Sequence, residues 1–330
     1  MAISMADIKK LRDLTSAGLT DCKKALAETN GDMDAAVEVL RKKGQAVAAK
    51  RADRSAAEGC VLAAAADGYA AIVALNCETD FVAKNEGFVT LTQQILDAAM
   101  AHKPANLEAL NAITIDGRTI ADLVVEKGGQ TGEKTEIGAF EVVEAPSTSA
   151  YTHFNKKLAA IVGFSMPGVD KEVGQYVAMQ VASMNPVAVD RKSVPQATID
   201  SELSIAVEKT KRELVQKAVD FALSKAGLNP HHFDSDDHIA SNTAKGWITE
   251  EQAAQGREII ATVSEAEGAK LPQAKIDAIA NGRLNKFFKE MTLMEQEFIN
   301  DPKMNIGQYL DKAQKGLVAV GFKRVNLNAD

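Results

Sequence analysis

No run of 18 apolar residues occurs in the 330-residue chain, so no segment reads as a membrane-spanning helix. The opening "MAISMADIKK" lacks the long apolar segment of a secretory signal, and a cytoplasmic protein is expected. Cysteine is scarce. Cys22, Cys60 and Cys77 are scattered and form no CxxC, which speaks against a zinc knuckle or a disulfide framework. Cys22 and Cys77 sit in apolar-rich stretches and read as small buried side chains. An excess of positive charge is missing too: a net charge of −7 argues against an extended nucleic-acid footprint. Catalytic signatures are equally thin. "KGGQTGEKT" has glycines, a lysine and a threonine but not in the order GxxxxGK[ST], and it reads as a glycine-rich turn. No nucleophile elbow and no HExxH motif occurs.

What the chain has instead is 46% apolar and 25% charged residues, enough for two or more cored domains. Residues 1–54 read as a three-helix unit. "SMADIKKLRDLTSAG" offers Ser4 as a cap and Ile8, Leu11 and Leu14 as one face, with Gly18 beyond its end. "TDCKKALAETNGD" turns Cys22, Ala25 and Leu26 inward. Asp32 can cap a third helix whose Ala36, Val37 and Leu40 face the same core before Gly44. Helices this short are marginal alone and are expected to pack together. This stretch holds 11 Lys or Arg against 8 Asp or Glu, which suits docking to an acidic partner.

After a solvated connector the period changes. "GCVLAAAADGYAAIVALNCETDFV" holds two apolar runs divided by Asp67-Gly68, a hairpin signal, although the alanines weaken the first strand. Helical spacing returns at Phe88, Thr92, Ile95, Leu96 and Ala99 and stops near Pro104. "KKLAAIVGFS" then echoes "GYAAIVALNC", and "VGQYVAMQVASMNP" repeats the spacing of "VTLTQQILDAAMAHKP". Two related α+β units follow from that echo. Ile199, Leu203, Val207, Leu214 and Phe221 form a helical stripe, interrupted by the polar "GLNPHHFDSDDHIASNTAKG"; two more helical stretches and the alternating "GLVAVGFKRVNL" complete the chain. The expected fold is multidomain α+β. A three-helix head covers 1–54, a first core unit 55–142, a second 143–200, an inserted helical arm 201–290, and a return with a final strand 291–330. The arm's apolar stripe either closes internally or meets a second subunit as a homodimer.

Three places carry candidate chemistry. In "NCETDFVAKNEGF" Phe81 stands between Asp80 and Lys84, and either packs into its own core or is offered to another molecule. His153 in "SAYTHFNKKL" is either satisfied by backbone or Tyr151, or available to a partner. His231, His232, Asp234, Asp236, Asp237 and His238 in "HHFDSDDH" carry metal-ligand atoms, against the plainer reading of a solvated arm tip.

Taken together, "LRDLTSAGLTDCKKAL" and "NCETDFVAKNEGF", with "SAYTHF", "VAMQVASMNP" and "NGRLNKFFKE" following in order, resemble bacterial-type translation elongation factor Ts. The resemblance covers nearly the whole chain, with 205–270 weakly matched and enlarged. It implies a ubiquitin-associated-like head, a duplicated α+β core and a coiled helical dimerisation region. The activity it implies is guanine-nucleotide exchange on elongation factor Tu, which itself holds the GDP and Mg²⁺. No covalent chemistry, catalytic residue, cofactor or metal of the chain's own is implied. The exchange loop maps to Thr79, Asp80, Phe81 and Val82, and partner contacts map to Arg12, Leu19, Thr20, Lys23 and His153. Leu19 and Thr20 stand where methionines are frequent, and Gln180 stands where the core helix carries a histidine. The chain also ends at "GFKRVNLNAD", without the C-terminal helical module of many members. The alternative from another class is a non-catalytic adaptor that binds partners through head and arm without changing nucleotide affinity. For the histidine-rich segment, calorimetric titration with zinc separates the two readings: a solvated tip gives no saturable heat.

Overall fold

Capping side chains fix where most of the helices begin. The computed structural model describes residues 3–15, 17–51, 53–66 and 68–327. They fall into two compact units, Met1–Val189 with Leu293–Asp330, and Asp190–Thr292. The first unit opens with helices α1 (Met5–Thr15), α2 (Leu19–Glu28) and α3 (Met33–Lys50). The Ser4 hydroxyl accepts the Asp7 N–H at 3.1 Å, and Asp32 Oδ1 accepts the Ala35 N–H at 3.0 Å. Ile8, Leu11, Cys22, Ala25, Leu26 and Ala36 make the core of this bundle. Leu14, expected inward, is 56% exposed; Thr15 is buried in its place and its hydroxyl donates to the Leu11 carbonyl at 2.7 Å. The helical period explains the correction, since 8, 11 and 15 share a face and 14 lies about 100° further round.

Next come β1 (Glu58–Ala66) and β2 (Tyr69–Cys77), paired antiparallel from Glu58↔Cys77 to Ala66↔Tyr69. Gly68 takes a positive φ of 76° in the connection, while Asp67 lies outside the described residues. A one-turn helix α4 (Asp80–Ala83) leads into α5 (Glu86–His102), α6 (Leu107–Ala112), the two-residue strands β3 (Thr114–Ile115) and β4 (Arg118–Thr119), and α7 (Ile120–Thr131). Where "KGGQTGEKT" was expected to be a glycine-rich turn, "KGGQT" is instead the last stretch of α7; the turn starts at Gly132, which caps the helix at φ 71°. Strand β5 (Glu136–Glu144) then pairs with β2, giving a sheet of order β1-β2-β5. The first sheet thus runs two residues past the boundary expected at 142.

The pattern repeats: a hairpin, β6 (Ser147–Thr152) with β7 (Leu158–Phe164), is followed by α8 (Lys171–Met184). The chain then leaves for the second unit, comprising α9 (Gln196–Lys225), α10 (Asp236–Ala244), α11 (Glu250–Gly268) and α12 (Gln273–Met291). On its return it forms β8 (Glu297–Phe298), β9 (Asp301–Asn305), α13 (Ile306–Ala313) and β10 (Ala319–Asn326). Strand β10 joins β7, so the second sheet has the order β10-β7-β6. In each sheet the second strand of the hairpin is central.

These two sheets stack face to face. Along β2, Tyr69, Ala71, Val73 and Leu75 point to a core shared with α5 and α7, while Ala70, Ile72 and Ala74 pack on Ala159 and Ile161 of β7. Along β7, Ala160, Val162 and Phe164 point the other way, to α8 and α13. Burial on both faces explains why the central strands read as unbroken apolar runs. Of the alanines that weakened the sequence signal, Ala63 and Ala65 pack between the sheets and Ala64 against the helices.

Helix α3 continues through Gly44, expected as its end. Gly44 meets Gly129 of α7 backbone to backbone: a Cβ at Gly129 would lie 2.4 Å from the Gly44 Cα. Arg41 reaches Asp122 at 3.3 Å across the same contact, and the Gln130 side chain donates to the Thr15 carbonyl.

Of the stripe expected in the second unit, Ile199, Leu203, Val207 and Leu214 are half-buried. Phe221 is 71% exposed, and α9 buries Ala206, Thr210, Val219 and Leu223. Its seam with α12 is partly polar, because Arg283 donates to the Thr210 hydroxyl at 3.0 Å and pairs with Glu213. The segment expected to be a solvated interruption contains α10, and its Leu228, Phe233 and Ile239 close a small core with Val219 and Leu223. The inserted unit spans 190–292, wider than the expected 201–290. Among the described residues no helix is long and apolar enough to cross a membrane.

Gly129→Ala forces α3 and α7 apart and is expected to destabilise the fold by about 1–3 kcal/mol, read as a lower midpoint in urea unfolding.

Candidate functional site

Strand β2 ends at Cys77, and the next residues are held by carboxylates from elsewhere in the chain. Glu133, just past α7, accepts the backbone N–H groups of Glu78 (3.1 Å) and Thr79 (3.0 Å) on Oε2, and the Thr79 hydroxyl (2.7 Å) on Oε1. The Thr79 oxygen in turn accepts the Val82 N–H at 3.4 Å, capping α4. Asn85 repeats the device for α5 by accepting the Gly87 N–H at 3.0 Å. Glu78 itself receives the Lys134 N–H at 2.7 Å, Arg51 at 2.7 Å and Arg54 at 3.2 Å. Those bonds, the Lys134 amide first and then the guanidinium of Arg51, hold its carboxyl below the usual glutamate range.

A single helical turn can bury only one side, and here Ala83 is buried and Val82 packs partly against the first core. Phe81 points the other way and is 84% exposed. The core reading of Phe81 therefore does not hold in the free chain. Fully burying a phenylalanine is worth roughly 1.5–3 kcal/mol, a gain that this chain forgoes alone and a partner could supply. Asp80, half-buried, pairs with Lys84 at 2.6 Å one turn later. That hydrogen bond, aided by the charges of Lys84 and Lys157, lowers the Asp80 pKa, and the same bond raises that of Lys84.

Lys157 links this turn to His153. Its Nζ lies 2.7 Å from Glu58, the β1 residue opposite Cys77. The Lys156 carbonyl accepts the Val61 N–H at 2.7 Å, and Thr152 Oγ1 accepts the Ala63 N–H at 2.9 Å. Both turns thus flank the same end of β1. His153 is half-buried, with Nδ1 in a 2.8 Å hydrogen bond to the Tyr151 hydroxyl. Its neighbour Phe154 is 87% exposed and lies against the imidazole at 4.5 Å between ring centroids. Sequence reasoning passed over Phe154, although a phenylalanine after a strand and before "NKK" carried the same signal as Phe81.

The head residues are also on the surface. Arg12, Leu19, Thr20 and Lys23 are all exposed, while Cys22, Ala25 and Leu26 of α2 are buried. Arg12 of α1 is near enough to Cys22 to act on its thiol, whose pKa burial raises. Leu14 and Met5 add exposed apolar area to this unit. Gln180 is a different matter. It is fully buried, donating to Gln296 Oε1 (3.2 Å) and the Glu297 carbonyl (3.1 Å), while its Oε1 accepts the Ile299 N–H at 3.0 Å. Gln180 therefore ties α8 to the β8 region inside its own unit.

Other candidates come apart. His238 lies 3.7 Å from Asp234, and Asp236 is engaged by Arg257 at 3.2 Å. Among the described residues no group of three or more His, Cys, Asp or Glu side chains is placed to hold a metal ion. Cys22, Cys60 and Cys77 are buried free thiols, and burial, with the nearby Glu133 charge, pushes Cys77 up to about 12.

An exposed aromatic on a turn braced from below is presented outward and does not enclose a small substrate, a geometry suited to contact with another macromolecule. A sequence model of the family described as "Elongation factor TS" matches residues 78–329. "Elongation factor Ts" of Phocaeicola vulgatus is 51% identical over 331 aligned residues, covering 100% of both chains. The proteins of the same name from Bacteroides thetaiotaomicron and Porphyromonas gingivalis are 50% and 45% identical, again over 100% of both chains. The chain belongs to the elongation factor Ts family. It is thereby placed among nucleotide exchange factors that carry out no covalent chemistry.

Glu133→Ala leaves the Glu78 and Thr79 N–H groups without their acceptor. The expected loss is about 1–3 kcal/mol in denaturant unfolding, with faster hydrogen exchange at those two amides.

Proposed function

We propose that this protein promotes release of GDP from translation elongation factor Tu, and that the Asp80–Phe81 turn is the lever that does so. What supports the reading is the exposure of Phe81 on a turn whose Thr79 and Val82 are anchored. A bound diphosphate with its Mg²⁺ is held by backbone donors, a lysine and the metal together. A factor that binds best to the partner conformation gripping nucleotide poorly accelerates release, and nucleotide must loosen the factor in return. Such coupling is typically about 1–3 kcal/mol, so one wedge needs supporting contacts.

In this reading Phe81 inserts between elements of the partner beside its Mg²⁺ and phosphate site. Asp80 acts as an acceptor that orients the turn, Val82 anchors it and Thr79 caps it. His153, carried on the neighbouring turn, presses on the phosphate-loop side. Arg12 and Lys23 approach an acidic partner helix, with Leu19 and Thr20 between them, so the ubiquitin-associated-like head is the grip and the turn the lever. The protein itself supplies no cofactor or metal and works in the cytoplasm. The inserted helical unit serves as a dimerisation-type arm.

Stopped-flow release of a fluorescent GDP analogue tests the lever. Phe81→Ala is expected to slow release at saturating factor about tenfold or more, the equivalent of one lost buried ring. Its melting temperature should stay near wild type, because the side chain is 84% exposed in the free chain. Binding to elongation factor Tu with no acceleration by the wild-type chain would favour an adaptor instead.

A further inference from the structure

The lever hangs from a carboxylate that none of the proposed partner contacts uses. Glu78, only 13% exposed at its side chain, ties together three stretches far apart in sequence. Arg51 Nη1 donates to Oε1 at 2.7 Å, Arg54 Nη1 to Oε2 at 3.2 Å, and the Lys134 N–H to Oε1 at 2.7 Å. Arg51 directly follows Lys50, the last residue of α3. The grip therefore joins the end of the head's third helix to the residue two before Asp80. Glu133 holds the same stretch through the Glu78 and Thr79 amides. The arginines are thus one half of a frame whose other half is the loop after α7.

We propose that Glu78 is a positioning residue of the exchange lever, locked by Arg51 and Arg54 so that the end of α3 fixes the direction in which Phe81 is presented. The inference rests on the exchange reading above. A four-residue helix has one turn and cannot set its own direction; what lies before its cap must do that. A wedge whose direction is already fixed loses less freedom on binding than one ordered by the partner, and the difference appears in how strongly it distorts the partner. Exposed ion pairs contribute little by themselves. Arg51 and Glu78 differ from such pairs in being largely shielded, at 31% and 13% exposure, with the carboxylate taking three donors at once. Both oxygens are engaged, so Glu78 cannot rotate without breaking at least one bond.

The test is nucleotide release from elongation factor Tu measured across factor concentrations, for the Arg51→Met/Arg54→Met double variant and for Glu78→Gln. Each is made both alone and with Phe81→Ala. The expected result is a maximal release rate about five- to tenfold lower, with the half-saturating concentration within about twofold of wild type. Arg51→Lys should recover part of the maximal rate, and the arginine effect should vanish once Phe81 is alanine. Three outcomes overturn the proposal while leaving the lever in place. One is a maximal rate and a half-saturating concentration that are both unchanged. A second is a raised half-saturating concentration at unchanged maximal rate, which makes the arginines contact residues. The third is an arginine effect that persists in full without Phe81. A Phe81→Ala variant that accelerates GDP release from elongation factor Tu like wild type overturns both the lever and its lock. Thermal melting controls for folding, and Arg54→Met alone, at a side chain 62% exposed, keeps the test decisive should the double variant unfold.

Discussion

Two sheets share one apolar layer, and the placement of the Asp80–Phe81 turn beside the His153 turn depends on it. Ala70, Ile72 and Ala74 of β2 face Ala159 and Ile161 of β7, with Val61, Val143 and Val325 around them. Alanines and β-branched side chains fill the space between the sheets, and the aromatic ones point outward to the helices: Tyr69, with Val73 and Leu75, on one side, and Phe164, with Val162, on the other. Because β1 lies against the second sheet through Ala63 and Thr152, the turn after β2 and the turn before β7 emerge at the same end. The Asp80–Phe81 turn and the His153 turn are neighbours for that reason.

Against this rigid frame the exposed aromatic is a deliberate exception. A phenylalanine that follows a strand ordinarily gains by folding back, yet the bonds to Glu133 and the packing of Val82 and Ala83 leave Phe81 no route inward. Side-chain to backbone bonds hold the turn where apolar contact alone would not. The charges nearby, Asp80 with Lys84 and Glu58 with Lys157, pair with one another and keep the rim of the turn ordered. The energy forgone by exposing the ring is small beside the stability of the fold, and it is available when a partner covers it.

Much of this was legible in the residue order. The hairpin, the helix from Phe88, the echo between the two units and the late strand all follow from local periods, and the capping roles of Ser4 and Asp32 follow from residue type. The family motifs pointed to Asp80, Phe81 and His153. What misled were places where a neighbour overrode a local rule. Gly44 resembled a helix end but is a crossing point for Gly129. The glycines of "KGGQT" resembled a loop but lie in α7. Phe221 completed a stripe on paper while Arg283 and Thr210 made the real seam polar.

The sequence by itself marked the first hairpin, the helices of the head, the helix through Phe88, the late strand and an echo between two core stretches, and it placed an aromatic at the end of a strand between charges. Those features are set by spacing over a few residues, where side-chain size and polarity act directly. Only the tertiary structure decided that Phe81 faces outward, and that Leu14 and Phe154 do too. It alone brought Glu133 to Thr79 and Arg51 to Glu78, across 54 and 27 residues of chain. A carboxylate's partners are chosen by which segments the sheets bring together, and no local period records that choice.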